Sequence, residues 1–134
     1  MKRMMRYAKD WLGWKKAMVI APDVEAEFLL YLDDLVVGTL KVVDSKWQFA
    51  YSAEFKLKCD LRPIVEFPDL DRVYENEELW QFFASRIPSM EQPDVERAML
   101  KDEIEDDDVI ALLRRFGKRT ITNPFELRYH EFTL

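Results

Sequence analysis

The stretch that decides the fold runs from Asn76 to Gly117 and reads NEELWQFFASRIPSMEQPDVERAMLKDEIEDDDVIALLRRFG. Its stop signals and apolar spacing predict three short helices in succession. The first helix begins at Asn76, whose side chain can accept a hydrogen bond from a free amide of the first turn, and Pro88 prevents its continuation. The second helix begins at Pro93, whose fixed φ suits the first helical position.

The third helix begins near Asp106, within the acidic run EIEDDD. Its apolar residues recur at spacings of three and four, as on a helix with one buried face, and they are Val109, Leu112, Leu113 and Phe116. Gly117 suits the left-handed residue that often follows a helix end. The run lacks the alternating ligand spacing and the turn glycine of a calcium loop, and a helix start explains its aspartates, so we expect no cation site there.

Upstream of these helices the apolar period changes to two, which is the period of a strand with one buried face. Strand FLLYL from Phe28 is followed by a turn at Asp33–Asp34, and the next strand, LVVGTLKVV, contains Gly38 as a bulge or a close backbone approach. A second turn at Asp44 to Lys46 leads into a third strand, WQFAY. The sequence therefore predicts an antiparallel hairpin or meander.

Three further segments have weaker patterns. Residues Ser52 to Lys58 either continue the strand toward Cys59 or form one helical turn, and the sequence leaves both open. Ile64 to Phe67, within PIVEFP, predicts a short apolar strand closed by Pro68, and Asp69 to Tyr74 reads as a linker. The tail RTITNPFELRYHEF has β character and predicts a closing hairpin.

The length of 134 residues suffices for one domain with a real core. We predict an α+β fold over residues 28–134, in which a small antiparallel β-sheet is followed by a compact three-helix subdomain. Residues 1–27 are predicted to form a separate basic amphipathic helix and linker, because six basic residues against Asp10 alone give residues 1–20 a net charge of +5. We expect this helix to pack on the domain or on an acidic partner, and attachment to a membrane surface is the alternative.

Composition and residue spacing argue against nucleic-acid binding, metal binding and phosphate binding. The net charge of −6 argues against nucleic acid as a direct partner. Cys59 has no second cysteine with which to pair, which favours a reducing compartment and hence the cytoplasm. His130 lacks neighbours at metal-ligand spacing, and three glycines cannot build a phosphate-binding loop. We therefore predict no catalytic residue, no cofactor and no metal site.

Aromatic residues cluster in the predicted first helix. On such a helix Leu79, Phe82 and Phe83 share the inward face, while Trp80 lies about 100° around the axis from Leu79. Partly buried aromatic side chains often anchor protein interfaces. Trp80 is therefore either an interface anchor or an ordinary core residue, and the sequence leaves both open.

The order of these segments resembles the N-terminal subdomain of the HipA family of Ser/Thr protein kinases. That subdomain has a strand and tight turn leading into a V-G-x-L strand, then an aromatic alternation, a P-I/L-x-x-x-P segment, an F-x-x-L-L-P helix and a D-x-x-x-L-L-x-x-x-G segment. The corresponding stretches here are YLDDLVVGTL, WQFAY, PIVEFP, LWQFFASRIPS and DDVIALLRRFG. The resemblance covers residues 28–117 and rests on the shared order and spacing of these motifs.

The resemblance implies a free-standing HipA N-terminal subdomain, similar to the HipS antitoxins of HipBST toxin-antitoxin systems. The family continues with an aspartate and a Gly-Ala dipeptide toward its kinase core, whereas this sequence reads KRTITNPFEL. The implied function is to bind and inhibit a HipA/HipT-type kinase core, with a HipB-like DNA-binding protein as a further partner. A detached regulatory subunit that such a kinase needs for activity is the alternative.

A domain that docks on a kinase in this way needs an inserted side chain. We predict that this side chain is Trp80, flanked by Gln81, Ser85 and Arg86, with Tyr74 on the rim. Replacement of a central interface tryptophan commonly costs a large part of the binding energy. Trp80 is therefore the residue on which the partner-binding prediction depends most.

Overall fold

The computed structural model of the chain describes residues 25–58 and 60–130. Its strands are β1 (Ala26–Leu32), β2 (Leu35–Val43), β3 (Lys46–Tyr51), β4 (Tyr74–Asn76) and β5 (Glu126–Tyr129). Its helices are α1 (Ala53–Lys56), α2 (Gln81–Ala84), α3 (Pro93–Lys101) and α4 (Val109–Phe116). The strands form one antiparallel sheet in the order β4-β3-β2-β1-β5, which confirms the predicted α+β fold. Most of the predicted N-terminal helix and linker, residues 1–24, lies outside the described residues, as do Cys59 and residues 131–134.

Two tight turns produce the β1-β2-β3 meander. Asp33 has φ 56° in the first turn, and Asp44 and Ser45 have φ 53° and 68° in the second. Left-handed residues at these positions give the turn a twist that matches the right-handed twist of the strands. Both predicted turns are confirmed.

A bulge interrupts β2 close to the first turn. The register between β1 and β2 shifts after Leu30, which leaves Val37 as the extra residue. Gly38 follows directly, and a Cβ atom there would lie 2.6 Å from the carbonyl oxygen of Ala50. Of the two alternatives predicted for Gly38, the close backbone approach is therefore present at Gly38, and the bulge lies at the neighbouring Val37.

One face of the sheet packs against the helices and the long connection from α1 to β4. The buried residues of the strands are Ala26, Phe28, Leu30, Val37, Leu40, Val42, Trp47, Phe49, Tyr51 and Leu127. Phe55, Ile64, Phe67, Phe83, Val109 and Leu113 join them from the helices and the connection. A smaller cluster of Val95, Met99 and Leu112 holds α3 against α4.

The predicted first helix begins later than the sequence indicates. Asn76 is the last residue of β4, where it pairs with Trp47, and its side-chain amide donates to the carbonyl oxygen of Glu78 at 2.9 Å. Helix α2 begins at Gln81, with Trp80 as the residue that precedes it. The capping prediction at Asn76 is wrong because pairing with β3 uses the backbone that a helix would need. The same pairing makes Tyr74 a strand residue and not part of a linker.

The second and third helices follow the prediction closely. Pro93 occupies the first turn of α3, and the side chain of Asp108 caps α4 by accepting a hydrogen bond from the amide of Ala111 at 3.1 Å. Gly117 is not left-handed, since its φ is −91°. Glycine is instead needed there for close packing, because a Cβ atom would lie 2.5 Å from the carbonyl oxygen of Leu113.

The connection from β3 to β4 starts with a helical turn. The side chain of Ser52 accepts a hydrogen bond from the amide of Phe55 at 3.0 Å and so caps α1, which selects the helical alternative over a longer strand. The strand predicted over PIVEFP is wrong. That segment is a turn in which the amide of Phe67 donates to the carbonyl oxygen of Ile64 at 2.8 Å.

The tail supplies the last strand of the sheet. β5 pairs with β1, so that Leu127 lies opposite Leu30 and Tyr129 lies opposite Phe28. The β character of the tail is confirmed, but the predicted closing hairpin is wrong because β1 offers an open edge to which the tail adds. No helix within the described ranges is long and apolar enough to cross a membrane.

Candidate partner-binding site

The candidate site is built around Phe67, whose side chain is completely buried. The ring lies 4.5 Å from the ring of Phe49 on β3, measured between centroids. Tyr74 and Trp80 both meet Phe67 edge-on, each with a centroid distance of 5.1 Å. Edge-to-face contacts of this kind add to the stability gained from burial. Tyr74 and Trp80, two of the predicted partner-binding residues, therefore contact the same buried ring.

The hydroxyl of Tyr51 fixes the turn that carries Phe67. It donates to the carbonyl oxygen of Phe67 at 2.6 Å and accepts from the amide of Ile64 at 2.8 Å. Burial raises the pKa of Tyr51 to about 12, so the neutral phenol, which alone can donate, is the form present at neutral pH. The hydroxyl of Tyr51 therefore forms a hydrogen bond to each end of the turn from Ile64 to Phe67.

Replacing Tyr51 with Phe is expected to lower the free energy of unfolding by about 1–3 kcal/mol, because the amide of Ile64 and the carbonyl of Phe67 lose a buried partner. The pKa of Tyr51 is raised from 10.0 in a free phenol to about 12 in the folded protein. The folded state therefore favours the protonated phenol, and the resulting stability is complete below about pH 10 and is lost as the pH rises to about 12.

Urea unfolding of the wild type and of Tyr51→Phe, from neutral pH to about pH 12, measures this effect. The stability difference between the two proteins should shrink above about pH 10, because only the wild type carries the titrating phenol. A difference that stays constant over the whole range would contradict the assignment.

Tyr74 lies on the edge strand β4 with its ring toward the core face. Its hydroxyl accepts a hydrogen bond from the amide of Asp69 at 2.7 Å. The guanidinium of Arg72 lies over the ring, 5.0 Å from its centroid. The half-buried ring therefore contacts both Phe67 and Arg72, at the boundary between core and surface.

Trp80 is partly buried and immediately precedes α2. Its backbone is extended, with φ −64° and ψ 148°, and its carbonyl oxygen accepts hydrogen bonds from Phe83 and Ala84, both at 2.9 Å. The orientation of its indole is therefore set by the strand-to-helix junction and by Phe67, and not by a position on a helix face. Gln81 and Ser85 lie exposed on the same short segment.

Arg86 has a different environment from the other predicted site residues. Its side chain is only 4% exposed, and Nη1 donates to the carbonyl oxygen of Phe125 at 3.2 Å while Nη2 donates to Oδ1 of Asn123 at 3.2 Å. Longer bonds from Nη1 reach the carbonyl oxygens of Gly117 and Lys118. Burial lowers the pKa of Arg86 to about 10. Arg86 thus fastens the segment beside α2 to the tail.

The sequence did not point to Phe67 or Tyr51 as supports of the site. Phe67 was placed in a strand because PIVEFP is apolar and ends in proline. The alternation in WQFAY does put Tyr51 on the same face as Phe49, which is a usable signal. No pattern in the sequence indicates that its hydroxyl reaches Ile64, since that contact depends on how the connection folds back.

The family comparison covers most of this arrangement but not Asn123 and Phe125, two of the residues that bind Arg86. The family described as HipA N-terminal domain matches residues 28–122. The chain belongs to this family. The match spans the meander, the Phe67 cluster and helices α1 to α4, and it bears out the resemblance seen in the motifs. The matched family is the N-terminal domain of HipA and not its kinase core, and a comparison with curated proteins gives no match.

Proposed function

We propose that this HipA N-terminal domain is a non-catalytic protein-binding domain that binds and inhibits a HipA/HipT-type Ser/Thr kinase core. It would act as the HipS-like antitoxin of a tripartite toxin-antitoxin system in the cytoplasm, with a HipB-like DNA-binding protein in the same complex. Membership of the family supports the class of partner. The net charge of −6 suits a protein partner better than a nucleic acid.

The environment of Trp80 carries this proposal. Its indole rests against Phe67 at 5.1 Å and is only partly buried, so the exposed part of this large side chain is fixed in place before any partner arrives. Fixing a side chain in advance reduces the entropy lost on binding. The exposed polar residues Gln81 and Ser85 lie beside it and fit the polar rim of an interface.

The mechanism of inhibition would depend on where the indole of Trp80 binds on the kinase. If Trp80 enters the substrate cleft, the substrate is excluded by competition for the same space. If it enters the interface between the two kinase lobes, it holds the nucleotide-binding lobe in an inactive arrangement. In both cases this domain contributes binding energy and no chemical step.

Replacing Trp80 with Ala is expected to weaken binding to the kinase core by roughly 2 kcal/mol or more, about thirtyfold in Kd, because a central aromatic anchor is lost. Calorimetry or surface plasmon resonance with the purified kinase core measures the change. Tyr31→Ala is the matched control, since it removes a half-buried aromatic ring that pairs with Val36 away from this site. Unchanged affinity of a folded Trp80→Ala protein would remove Trp80 from the interface.

The proposed function itself is tested by purifying the tagged protein from its native cell and identifying by mass spectrometry what co-purifies. A kinase assay on the recovered complex, with and without this protein, then gives the direction of the effect. A kinase core that becomes active when the protein is removed supports the antitoxin function. A kinase that is inactive without it supports a regulatory subunit, and recovery of no kinase contradicts both.

A further inference from the structure

The chain covers one edge of its sheet with its own tail. At β5 the amide of Leu127 donates to the carbonyl oxygen of Lys118 at 2.8 Å. The carbonyl oxygen of Phe125, just before β5, accepts from Arg86 at 3.2 Å. Two of the backbone groups at or beside this edge that could attract another strand are therefore already bonded.

The opposite edge, at β4, is open among the described residues. A two-residue turn joins β2 to β3, so alternate residues of β3, including Trp47 and Phe49, direct their backbone groups toward β4. Their partners on β4 are Asn76 and Tyr74. The amide and carbonyl of Glu75, between those two, therefore point away from the sheet. No hydrogen bond within the described ranges engages them.

The side chains along this edge are acidic and exposed. Glu75, Glu77 and Glu78 are all exposed, and none of them takes part in an ion pair within residues 25–58 and 60–130. Val73, just before β4, is 60% exposed and is a β-branched residue suited to an extended backbone. A segment that added to this edge would bond to the backbone and meet carboxylates beside it.

The edge is continuous with the site around Phe67. Tyr74 is both the first residue of β4 and an edge-on contact of Phe67. Trp80 contacts the same ring from the other end of the short segment that follows β4. A partner that covers Trp80 therefore also passes next to the free backbone of Glu75.

We propose that β4 accepts an extended segment of the kinase core that carries lysine or arginine residues, by addition as a sixth strand of the sheet. This inference rests on the proposed function. Backbone hydrogen bonds to Glu75 would provide affinity, as in other complexes formed by strand addition. The carboxylates of Glu75, Glu77 and Glu78 would select a basic segment over an acidic one.

Two substitutions of Glu75 distinguish the contribution of its backbone hydrogen bonds to binding from that of its side-chain charge. Glu75→Pro removes the carboxylate, which accepts a hydrogen bond from Gln48, and an outward-pointing amide, a loss that an edge strand tolerates; its ring also occupies the space of the incoming strand. Glu75→Ala is the matched control, because it removes the same carboxylate and keeps the amide. We expect Glu75→Pro to weaken binding to the kinase core about tenfold or more, and Glu75→Ala about threefold or less.

Equal losses in the two variants would overturn strand addition, because the effect would then come from charge alone. Unchanged affinity of a folded Glu75→Pro protein would overturn it as well. In both cases the wild type still binds the kinase core, so the proposed function stands. If the wild type binds no kinase core, the proposed function fails and this inference fails with it.

Hydrogen exchange on the full-length wild type provides a test that needs no variant. The amides of Glu75 and Glu77 should exchange rapidly in the free protein and at least about tenfold more slowly in the complex. Protection already present in the free protein would show that the chain covers this edge itself, and it would overturn the proposal. Absence of protection in a complex that does form would overturn it too.

Discussion

Replacing Phe67 with Ala is expected to lower the free energy of unfolding by about 3–5 kcal/mol, the usual range for removal of a completely buried phenylalanine. The loss is expected at the upper end because five neighbouring rings contact Phe67. Their centroids lie between 4.5 and 6.4 Å away, and the residues are Phe49, Tyr74, Trp80, Phe82 and Phe83. Urea or thermal unfolding monitored by tryptophan fluorescence measures the change.

Val65→Ala is the control for this substitution. Val65 belongs to the same turn as Phe67, but its side chain is 90% exposed, so we expect a change within about 0.5 kcal/mol. The Phe67→Ala protein should also bind the kinase core more weakly than its stability alone would predict, because Trp80 loses its support. A loss of less than about 1 kcal/mol in stability would mean that the cluster can collapse around the missing ring.

Replacing Arg86 with Met should lower the free energy of unfolding by about 2–4 kcal/mol. Methionine retains much of the volume but leaves buried acceptors without a donor, each of which costs about 1–3 kcal/mol. The carbonyl oxygen of Phe125 is the closest of them, at 3.2 Å, whereas Oδ1 of Asn123, also at 3.2 Å, keeps a hydrogen bond from the amide of Phe125. Part of this cost is offset because the buried cation no longer has to be desolvated.

The location of the amides that lose protection from hydrogen exchange distinguishes a local role of Arg86 from destabilisation of the whole domain. Amides of β5 should lose protection from hydrogen exchange more than those of β2, because the hydrogen bonds of Arg86 within the described residues go to residues 117, 118, 123 and 125. Arg97→Met is the matched control, since Arg97 is exposed on α3 and, among the residues that the structure describes, pairs only with Asp94 at the surface. Uniform loss of protection throughout the sheet would contradict a local role for Arg86.

Local signals in the sequence were sufficient to predict those helices and strands whose ends are determined by residues nearby in the chain. The turns at Asp33 and Asp44, the proline at the start of α3 and the acidic run that predicts a helix start near Asp106 all act within a few residues along the chain. The alternation of the meander likewise fixes which residues face the core. These parts of the fold were predicted correctly for that reason.

Errors arose where a distant strand competes with a local signal. Asn76 is a good cap in isolation, but β3 takes up the backbone of that segment. Ile64 to Phe67 reads as a strand, but the hydroxyl of Tyr51 bends it into a turn. Arg86 is predicted to flank Trp80 at the partner-binding site, but its buried side chain donates to four acceptors, at Gly117, Lys118, Asn123 and Phe125. None of these contacts is visible as a pattern in the sequence.

The position of β5 next to β1 has a consequence for the order of folding. The meander and the α3–α4 pair are made of contacts close in sequence, which form early because little chain entropy is lost in closing them. Leu30 and Leu127 are far apart along the chain, so their pairing closes a very long loop. During synthesis the outer edge of β1 therefore stays unpaired until β5 leaves the ribosome. In this interval a strand from another molecule can most easily pair with β1 in place of β5.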